Sequence, residues 1–251
     1  MEFENMINKI HLGDCYELIK QIPDKSVDCI YVDIPYLYQE GGSGSSRIAQ
    51  QVKKMKKELQ DANIYNGIDY NIFNEFIRIL KNINCFIWCS KEQIFPILKW
   101  FNENTNSTYQ ILTWNKTNPV PMCNGNWLSD IEYCLYFNRG TKLNDGFELK
   151  SKWHTSPLNL NDKILFKHPT IKPLQLVKRH LLHTTQPNDI VLDCFCGSGT
   201  TCLACKETDR RYIGMEIDPE YHRIAVNRLN GITASGQLSI FTDIEELKKE
   251  E

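Results

Sequence analysis

The 251-residue chain has no run of about 18 apolar residues, the length that a membrane-spanning helix needs. Its first ten residues, MEFENMINKI, also lack the apolar stretch of a secretion signal. We therefore expect a soluble protein that is not secreted. The formal net charge is only -2, so the charge of the whole chain would not attract a nucleic acid, and any such partner would have to be held by local basic clusters.

Patterns typical of metal sites are also missing. The chain holds ten cysteines but no paired Cys-x-x-Cys knuckles of the usual zinc spacing, not even in the cluster Cys194, Cys196, Cys202 and Cys205. Because thiols stay reduced in the cytosol, the cysteines are interpreted as small apolar core residues. No HExxH pair supports catalytic or metal-binding histidines, and four of them are interpreted as surface or capping residues: His154, His168, His180 and His183.

Short apolar segments alternate with helical patterns along the chain. Seven of these segments are predicted strands: 9–14, 27–35, 84–90, 109–115, 131–137, 189–195 and 210–218. The alternation predicts an α/β fold with a mainly parallel sheet, and the length fits one domain. Little chain separates 109–115 from 131–137, so these two strands are expected to pair antiparallel.

One stretch interrupts the alternation. Residues 39–63 begin with a Gly/Ser-rich linker and continue as a basic helical segment with little apolar face. This composition predicts a mobile insertion. The segment after about residue 231 alternates acidic residues with lysine and is interpreted as a solvated end.

A glycine-containing loop, LDCFCGSGTT (192–201), follows one predicted strand and opens a helix. It lacks the third glycine of a dinucleotide fingerprint and the lysine of a phosphate-binding loop, so a pyrophosphate is not the expected ligand. Asp193 at the strand end can instead bind the ammonium of an amino-acid group, while backbone N–H groups near Thr200 can bind its carboxylate. The next strand ends at Glu216, whose carboxylate can hold two ribose hydroxyls; the alternative is that Glu216 caps the helix beginning near Pro219.

The tetrapeptide Asp33-Ile34-Pro35-Tyr36 ends another predicted strand. It resembles the DPPY tetrapeptide of amino-methyltransferases, except that Ile34 stands where that family commonly has proline. The resemblance implies that Asp33 and the Ile34 carbonyl accept the hydrogens of an exocyclic amine, while Tyr36 stacks on a flipped base. The family contact at Ile34 is a main-chain carbonyl, so we expect activity to survive with a less rigid loop.

Further segments extend the resemblance to nearly the whole chain. They are HPTIKP (168–173), the Gly-Asp of IHLGD (10–14), WNKTNPVP (114–121) and IEYCLYF (131–137). With the tetrapeptide N-terminal and the glycine loop C-terminal, the order resembles the permuted beta group of S-adenosylmethionine-dependent DNA amino-methyltransferases, the DNA methylase N-4/N-6 family.

This resemblance implies a Rossmann-like class I methyltransferase fold: a mainly parallel seven-stranded sheet with one antiparallel strand and helices on both faces, in one domain (1–251). The implied catalytic residues are Asp33, Ile34, Pro35 and Tyr36. The implied contacts to S-adenosyl-L-methionine are Asp14, Cys15, Thr170, Lys172, Asp193, Phe195, Gly197, Ser198, Gly199, Thr200, Glu216 and Ile217, with Lys172 pairing with the cofactor carboxylate. No metal is implied.

The expected substrate is adenine N6 in double-stranded DNA, because cytosine-N4 members more usually have serine at the position of Asp33. Cytosine-N4 methylation remains the main alternative, followed by RNA methylation and by a non-catalytic DNA-binding module. A nicotinamide oxidoreductase is disfavoured by the two-glycine loop. No Pro-Cys pair exists to supply the nucleophile of a cytosine-C5 enzyme.

Basic residues of the insertion are predicted to bind DNA: Arg47, Lys53, Lys54, Lys56 and Lys57. A short target-recognition region is expected at 138–167, which includes Lys150, Lys152, Trp153 and His154. By resemblance we also expect a homodimer, a cognate restriction endonuclease, and a bacterial or phage-encoded enzyme that acts in the cytoplasm.

Overall fold

A computed structural model describes residues 2–37, 67–119, 127–158, 160–166, 171–233 and 235–238. In these ranges eight strands form one sheet in the order β1-β8-β7-β2-β3-β5-β4-β6. The strands are β1 (Lys9–Leu12), β2 (Cys29–Asp33), β3 (Ile83–Cys89), β4 (Thr108–Lys116), β5 (Ile131–Arg139), β6 (Trp153–Ser156), β7 (Ile190–Asp193) and β8 (Arg211–Glu216). Only β5 runs against its neighbours β3 and β4, which confirms the mainly parallel sheet with one antiparallel strand.

Seven α-helices occur in the described ranges: α1 (Cys15–Leu18), α2 (Ile72–Ile79), α3 (Lys91–Asn104), α4 (Leu160–Phe166), α5 (Leu174–Thr184), α6 (Thr200–Lys206) and α7 (Pro219–Leu229). Short 3₁₀ helices lie at Phe3–Met6, Ile19–Gln21 and Phe147–Leu149. Helix α3 begins with a capping box in which Ser90 and Gln93 bind each other's backbone N–H groups. None of the described helices combines the length and apolar character needed to cross a membrane.

The prediction of seven strands was wrong by one. Strand β6 pairs in parallel with the edge of β4, with Trp153 opposite Thr113. Its four residues, WHTS, alternate between exposed and half-buried, so they carry no apolar run that would mark a strand in the sequence. Strand β6 and helix α4 both lie within the expected recognition region at 138–167, the strand paired with β4 and the helix in contact with α7.

Two hydrophobic clusters cover the two faces of the sheet. Alternation along β2 sends Ile30 and Val32 to one face, and Cys29 and Tyr31 to the other. Helices α2 and α3 pack on the first face, and α5, α6 and α7 on the second. All nine cysteines in the described ranges are buried and free, as expected for apolar core residues.

His180 was wrongly interpreted as a surface or capping residue, because it lies in the second cluster at only 4% exposure. Its Nδ1 is 3.1 Å from the Tyr31 hydroxyl, which also accepts a hydrogen bond from Trp88 Nε1 at 3.0 Å. Burial lowers the pKa of His180 to about 3, so the ring is neutral at physiological pH. His168 lies outside the described residues.

Candidate active site

A cavity of about 230 Å³ opens at the carboxyl ends of β2, β7 and β8. This is the edge at which parallel α/β sheets bind ligands, because the chain leaves neighbouring strands in opposite directions there. The four predicted catalytic residues line the cavity, as do these residues predicted to contact a cofactor: Asp14, Cys15, Lys172, Asp193, Phe195, Gly197, Ser198, Thr200, Glu216 and Ile217. Thr170 and the five basic residues of the insertion lie outside the described ranges.

Backbone N–H groups hold the carboxylate of Glu216 in place at the end of β8. Its Oε2 accepts from Gly197 N at 2.8 Å, and its Oε1 accepts from Asp218 N at 2.9 Å. The alternative that Glu216 caps the following helix was wrong, because Asp218 accepts from the first N–H groups of α7. Glu216 therefore stays directed into the cavity, in reach of a ligand's hydroxyls.

Gly199, also predicted to contact the cofactor, lies in the same loop and has a packing role as well. Its backbone is left-handed, with φ +75°, a conformation that favours glycine. A Cβ atom here would lie 3.1 Å from both Ala225 Cβ and Leu229 Cδ1 on α7. Gly199 is thus required for the turn and for close packing of α7 against the loop.

Asp193 ends β7 at 4% exposure, and its Oδ1 accepts a hydrogen bond from Phe195 N at 3.1 Å. Burial raises the pKa of this carboxyl from 3.8 to about 7. A cationic partner stabilises the ionised form of a buried carboxyl, so this position fits the ammonium group of an amino-acid ligand. Glu216, Asp14 and Cys15 complete a cleft that suits the ribosyl and adenine parts of S-adenosylmethionine.

An ion pair between Asp33 and Lys172 lies in the part of the cavity lined by the tetrapeptide. Lys172 Nζ lies 2.5 Å from Asp33 Oδ2, and it also donates to the Tyr36 hydroxyl at 3.2 Å. The other oxygen of Asp33, Oδ1, is buried and has no hydrogen-bond partner among the described residues. Burial raises the pKa of Asp33, and the positive charge of Lys172 opposes that rise.

Lys172 has partners that the resemblance did not imply. Its ammonium binds Asp33 and also Glu132 Oε2, 2.9 Å away. It also lies 5.3 Å from the Trp88 ring centroid, a cation–π contact. Both carboxylates raise the pKa of Lys172 against the effect of its burial, so it remains charged.

Glu132 is the functional residue that the sequence interpretation missed. Its Oε1 lies 2.8 Å from Lys116 Nζ and its Oε2 accepts from the Tyr36 hydroxyl at 3.3 Å. Burial alone would raise its pKa, but Lys172 and Lys116 lower it to about 2. The signal was present, since Lys116 lies in WNKTNPVP and Glu132 in IEYCLYF, but only the β4–β5 register brings them together.

Hydrogen bonds from β3 and from the start of α3 hold the backbone of the tetrapeptide at 33–36 and of the residue after it. Ile34 N donates to Trp88 O at 3.2 Å, a bond that proline at this position would lack. Gln93 Nε2 donates to Pro35 O at 3.0 Å, and Ser90 Oγ donates to Leu37 O at 3.0 Å. The substitution of isoleucine for the family proline is therefore accompanied by an additional backbone contact.

The fold and the cleft define a Rossmann-like class I methyltransferase. Residues 27–227 match the N6/N4 DNA methylase family. The chain is 33% identical over 242 residues to the Type II methyltransferase M2.MboI of Moraxella bovis, covering 89% of this chain and 88% of that protein. It is 30% identical over 246 residues to the Type II methyltransferase M2.DpnII of Streptococcus pneumoniae, covering 90% of each.

Solved structures agree with this comparison. The M1.HpyAVI–SAM complex matches 88% of this chain and 98% of that chain at 27% identity, with a TM-score of 0.64. The cytosine-N4-specific PvuII DNA methyltransferase shares the fold, with a TM-score of 0.64 at 18% identity over 96% of this chain and 89% of that chain. The chain belongs to the DNA methylase family, and it is an S-adenosylmethionine-dependent methyltransferase that acts on DNA.

Proposed function

We propose that this protein transfers a methyl group from S-adenosylmethionine to N6 of an adenine flipped out of double-stranded DNA. The observation that carries the proposal is the divided carboxylate of Asp33, with one oxygen on Lys172 and the other buried without a partner. It lies in the same cavity as Asp193 and Glu216, which suit the cofactor.

The chemistry requires an acceptor because the lone pair of an exocyclic amine is delocalised into the ring. As the nitrogen becomes pyramidal, its hydrogens need oxygens in fixed positions, and Asp33 Oδ1 and the Ile34 carbonyl are suited to receive them. Lys172 opposes the rise in the pKa of Asp33 that burial causes, and so favours the ionised form. S-adenosylmethionine supplies the electrophilic methyl group when bound, so the protein needs no covalent intermediate.

Tyr36 would stack on the flipped base. Its hydroxyl is bound between Lys172 Nζ and Glu132 Oε2, which orients the ring. Stacking of a base on an aromatic side chain contributes about 1–3 kcal/mol, and it repays part of the free energy of opening the duplex.

Adenine is favoured over cytosine by Asp33 at the first position of the tetrapeptide. The similarity to Type II methyltransferases such as M2.MboI, M2.DpnII and M.HinfI of Haemophilus influenzae also supports adenine over the cytosine-N4 alternative. The likeness to the cytosine-N4 enzyme is one of fold alone.

The test is to incubate the protein with methyl-labelled S-adenosylmethionine and unmethylated genomic DNA, digest the DNA to nucleosides, and identify the labelled base. We expect label in N6-methyladenine, and its loss in Asp33→Asn, which preserves the shape of the side chain but removes its charge. Label in N4-methylcytosine would instead establish the alternative substrate. Absence of label from DNA but transfer to RNA would overturn the proposal.

We further propose that residues 39–63 supply much of the DNA contact, supported by their basic charge and by their closeness in sequence to Asp33. Deletion of 39–63 is expected to weaken DNA binding and to flatten its dependence on salt, whereas unchanged affinity would contradict this role. Region 138–167 would read the target sequence within one domain spanning 1–251. A homodimer, a cognate restriction endonuclease and a cytoplasmic location are proposed from similarity to bacterial Type II methyltransferases.

A further inference from the structure

Arg228 on α7 is a buried arginine, with 3% exposure, that contacts the glycine loop from behind the cavity. Its Nη1 donates to Thr200 Oγ1 at 2.7 Å, to Ser198 Oγ at 3.2 Å and to the Ser198 carbonyl at 3.3 Å. Both Ser198 and Thr200 also line the cofactor cleft. The guanidinium therefore fixes the side of the loop that faces away from the ligand.

The other half of the same guanidinium holds helix α4. Arg228 Nη2 lies 2.8 Å from Asp162 Oδ2, and the guanidinium carbon lies 5.2 Å from the centre of the Phe166 ring. Asp162 and Phe166 are one turn apart on α4, so a single planar group contacts the helix at two points. Helix α4 and the glycine loop are thus both held by the guanidinium of Arg228.

Arg228 is also connected, through Phe166, to the segment that carries Lys172. Phe166 packs with Ile171 and with Ile224 of α7 in a small hydrophobic cluster separate from the two main ones. Ile171 immediately precedes Lys172, whose ammonium binds Asp33. A displacement of α4 would therefore be passed through this cluster to the residue that positions the catalytic carboxylate.

We propose that Arg228 is a positioning residue that couples the glycine loop to α4 and, through Phe166, to Ile171 and Lys172. Binding of the cofactor against Ser198 and Thr200 then stabilises α4, and a docked α4 strengthens cofactor binding by the same factor, because such coupling is reciprocal. The use of this coupling for S-adenosylmethionine rests on the proposed function; the connection between loop and helix does not.

Hydrogen exchange of the ligand-free protein tests the connection directly. Asp162→Asn removes the ion pair on a half-buried side chain while leaving the contacts of Arg228 with the loop, and Thr200→Val removes a loop contact while preserving shape. We expect Asp162→Asn to speed exchange in the loop at 196–201, and Thr200→Val to speed exchange in 160–166, each about five- to tenfold. The control is Arg223→Met, which removes an exposed arginine on the same helix, paired with Glu220.

Titration with S-adenosylmethionine provides the second measurement. In the wild type we expect the cofactor to protect 160–166 from exchange, and in Asp162→Asn we expect this protection to be lost and the Kd to rise about five- to tenfold. Arg228→Lys keeps the positive charge but loses the planar guanidinium that reaches the loop and α4 at once. It should behave like Asp162→Asn in both measurements.

Two outcomes would overturn the inference. One is exchange in Asp162→Asn and Thr200→Val that rises only at the substituted segment, and the other is an equal rise in Arg223→Met. A wild-type protein that does not bind S-adenosylmethionine would instead contradict the proposed function, while the exchange measurements without ligand would still decide whether Arg228 couples the two segments.

Discussion

Lys172 Nζ lies 2.5 Å from Asp33 Oδ2, whereas the second oxygen of that carboxylate is buried and has no partner among the described residues. One oxygen is therefore held by a cation, whereas the other has no partner to offset its burial. Lys172 in turn is shared with Glu132, which is also held by Lys116. Each of the two carboxylates thus has a cationic partner, which offsets part of the cost of burying its charge.

Replacing Lys172 with methionine should reveal what the ammonium does for Asp33. Burial already raises the pKa of Asp33, and Lys172 is the charge that opposes the rise, so its loss should raise this pKa further. Because the ionised form is the proposed hydrogen acceptor, the fall in kcat/KM on acidification should move to higher pH. At neutral pH we expect a loss of about 10²–10⁴-fold.

The measurement is a pH–rate profile of the wild type, Lys172→Met and Lys172→Arg, with Lys178→Met as the control. Lys178 lies on α5 and pairs with Glu207 away from the site, so its profile should match the wild type. Lys172→Arg retains the positive charge, so the pH at which its kcat/KM falls should lie between those of the wild type and Lys172→Met. An acid limb unmoved in Lys172→Met would show that the lysine does not set the ionisation of Asp33.

Asp193→Asn should stabilise the ligand-free protein at alkaline pH while abolishing cofactor binding. Folding raises the pKa of Asp193 from 3.8 to about 7, so the folded state binds its proton more tightly than the unfolded state does. Its contribution to stability is therefore complete below about pH 4 and is lost as the pH rises through about 7. Asparagine does not ionise, so the variant does not lose stability in this way as the pH rises.

Thermal unfolding of the wild type and Asp193→Asn between pH 4 and pH 8 checks this sign. The Tm of the variant relative to the wild type should increase across that interval, and S-adenosylmethionine should raise the Tm of the wild type only. A Tm difference that stays constant with pH would mean that Asp193 does not titrate as its burial implies.

Both motifs of the site can be recognised in the sequence because each is a short run of residues at the end of a strand. Asp33 and Asp193 end neighbouring parallel strands, so their presence at one edge of the sheet follows from fold class alone. The partner of Asp33 does not follow in this way. Lys172 is 139 residues away, and the HPTIKP motif by itself does not tell whether the lysine faces the cofactor or the carboxylate.

Other features of the site also depend on distant neighbours. Glu132 and Lys116 become a pair only through the antiparallel register of β4 and β5. The packing of α7 against Gly199 is not visible in the motif to which this glycine belongs. His180 is a polar residue in an amphipathic helix, and only the presence of Tyr31 on the facing strand explains its burial.

Gly199→Ala should destabilise the protein through both backbone conformation and packing. A left-handed backbone is unfavourable by about 1–2 kcal/mol for alanine. The added Cβ would lie 3.1 Å from Ala225 and Leu229, and such crowding adds about 1 kcal/mol or more. Gly236→Ala is the matched control, because its φ is +83° and nothing lies within 4 Å of its added Cβ.

Chemical denaturation of both alanine variants measures the difference. Gly199→Ala should lose more stability than Gly236→Ala, and it should also bind S-adenosylmethionine more weakly, because the loop must shift away from α7. Equal losses of stability in the two variants would show that the α7 contact is unimportant.

Ile34→Pro restores the common family tetrapeptide and tests whether the Ile34 N–H has replaced the stiffness of proline. The substitution removes the hydrogen bond to Trp88 O, which is worth about 0.5–1.5 kcal/mol. Proline also restricts the unfolded chain, which stabilises the folded state by about 0.4–1 kcal/mol. Asp33 already has the extended conformation that a following proline favours, since it ends β2.

The two backbone effects should nearly cancel, leaving the loss of buried side chain as the main change in stability. Ile34 is 1% exposed, so Ile34→Ala is the appropriate comparison, because it also shortens the side chain but keeps the N–H. We expect Ile34→Pro to be at least as stable as Ile34→Ala. Both should retain kcat within about tenfold of the wild type, because each keeps the carbonyl proposed to accept the amine hydrogen. A far larger loss in Ile34→Pro alone, with cofactor binding intact, would mean that the bond to Trp88 sets the geometry of Asp33.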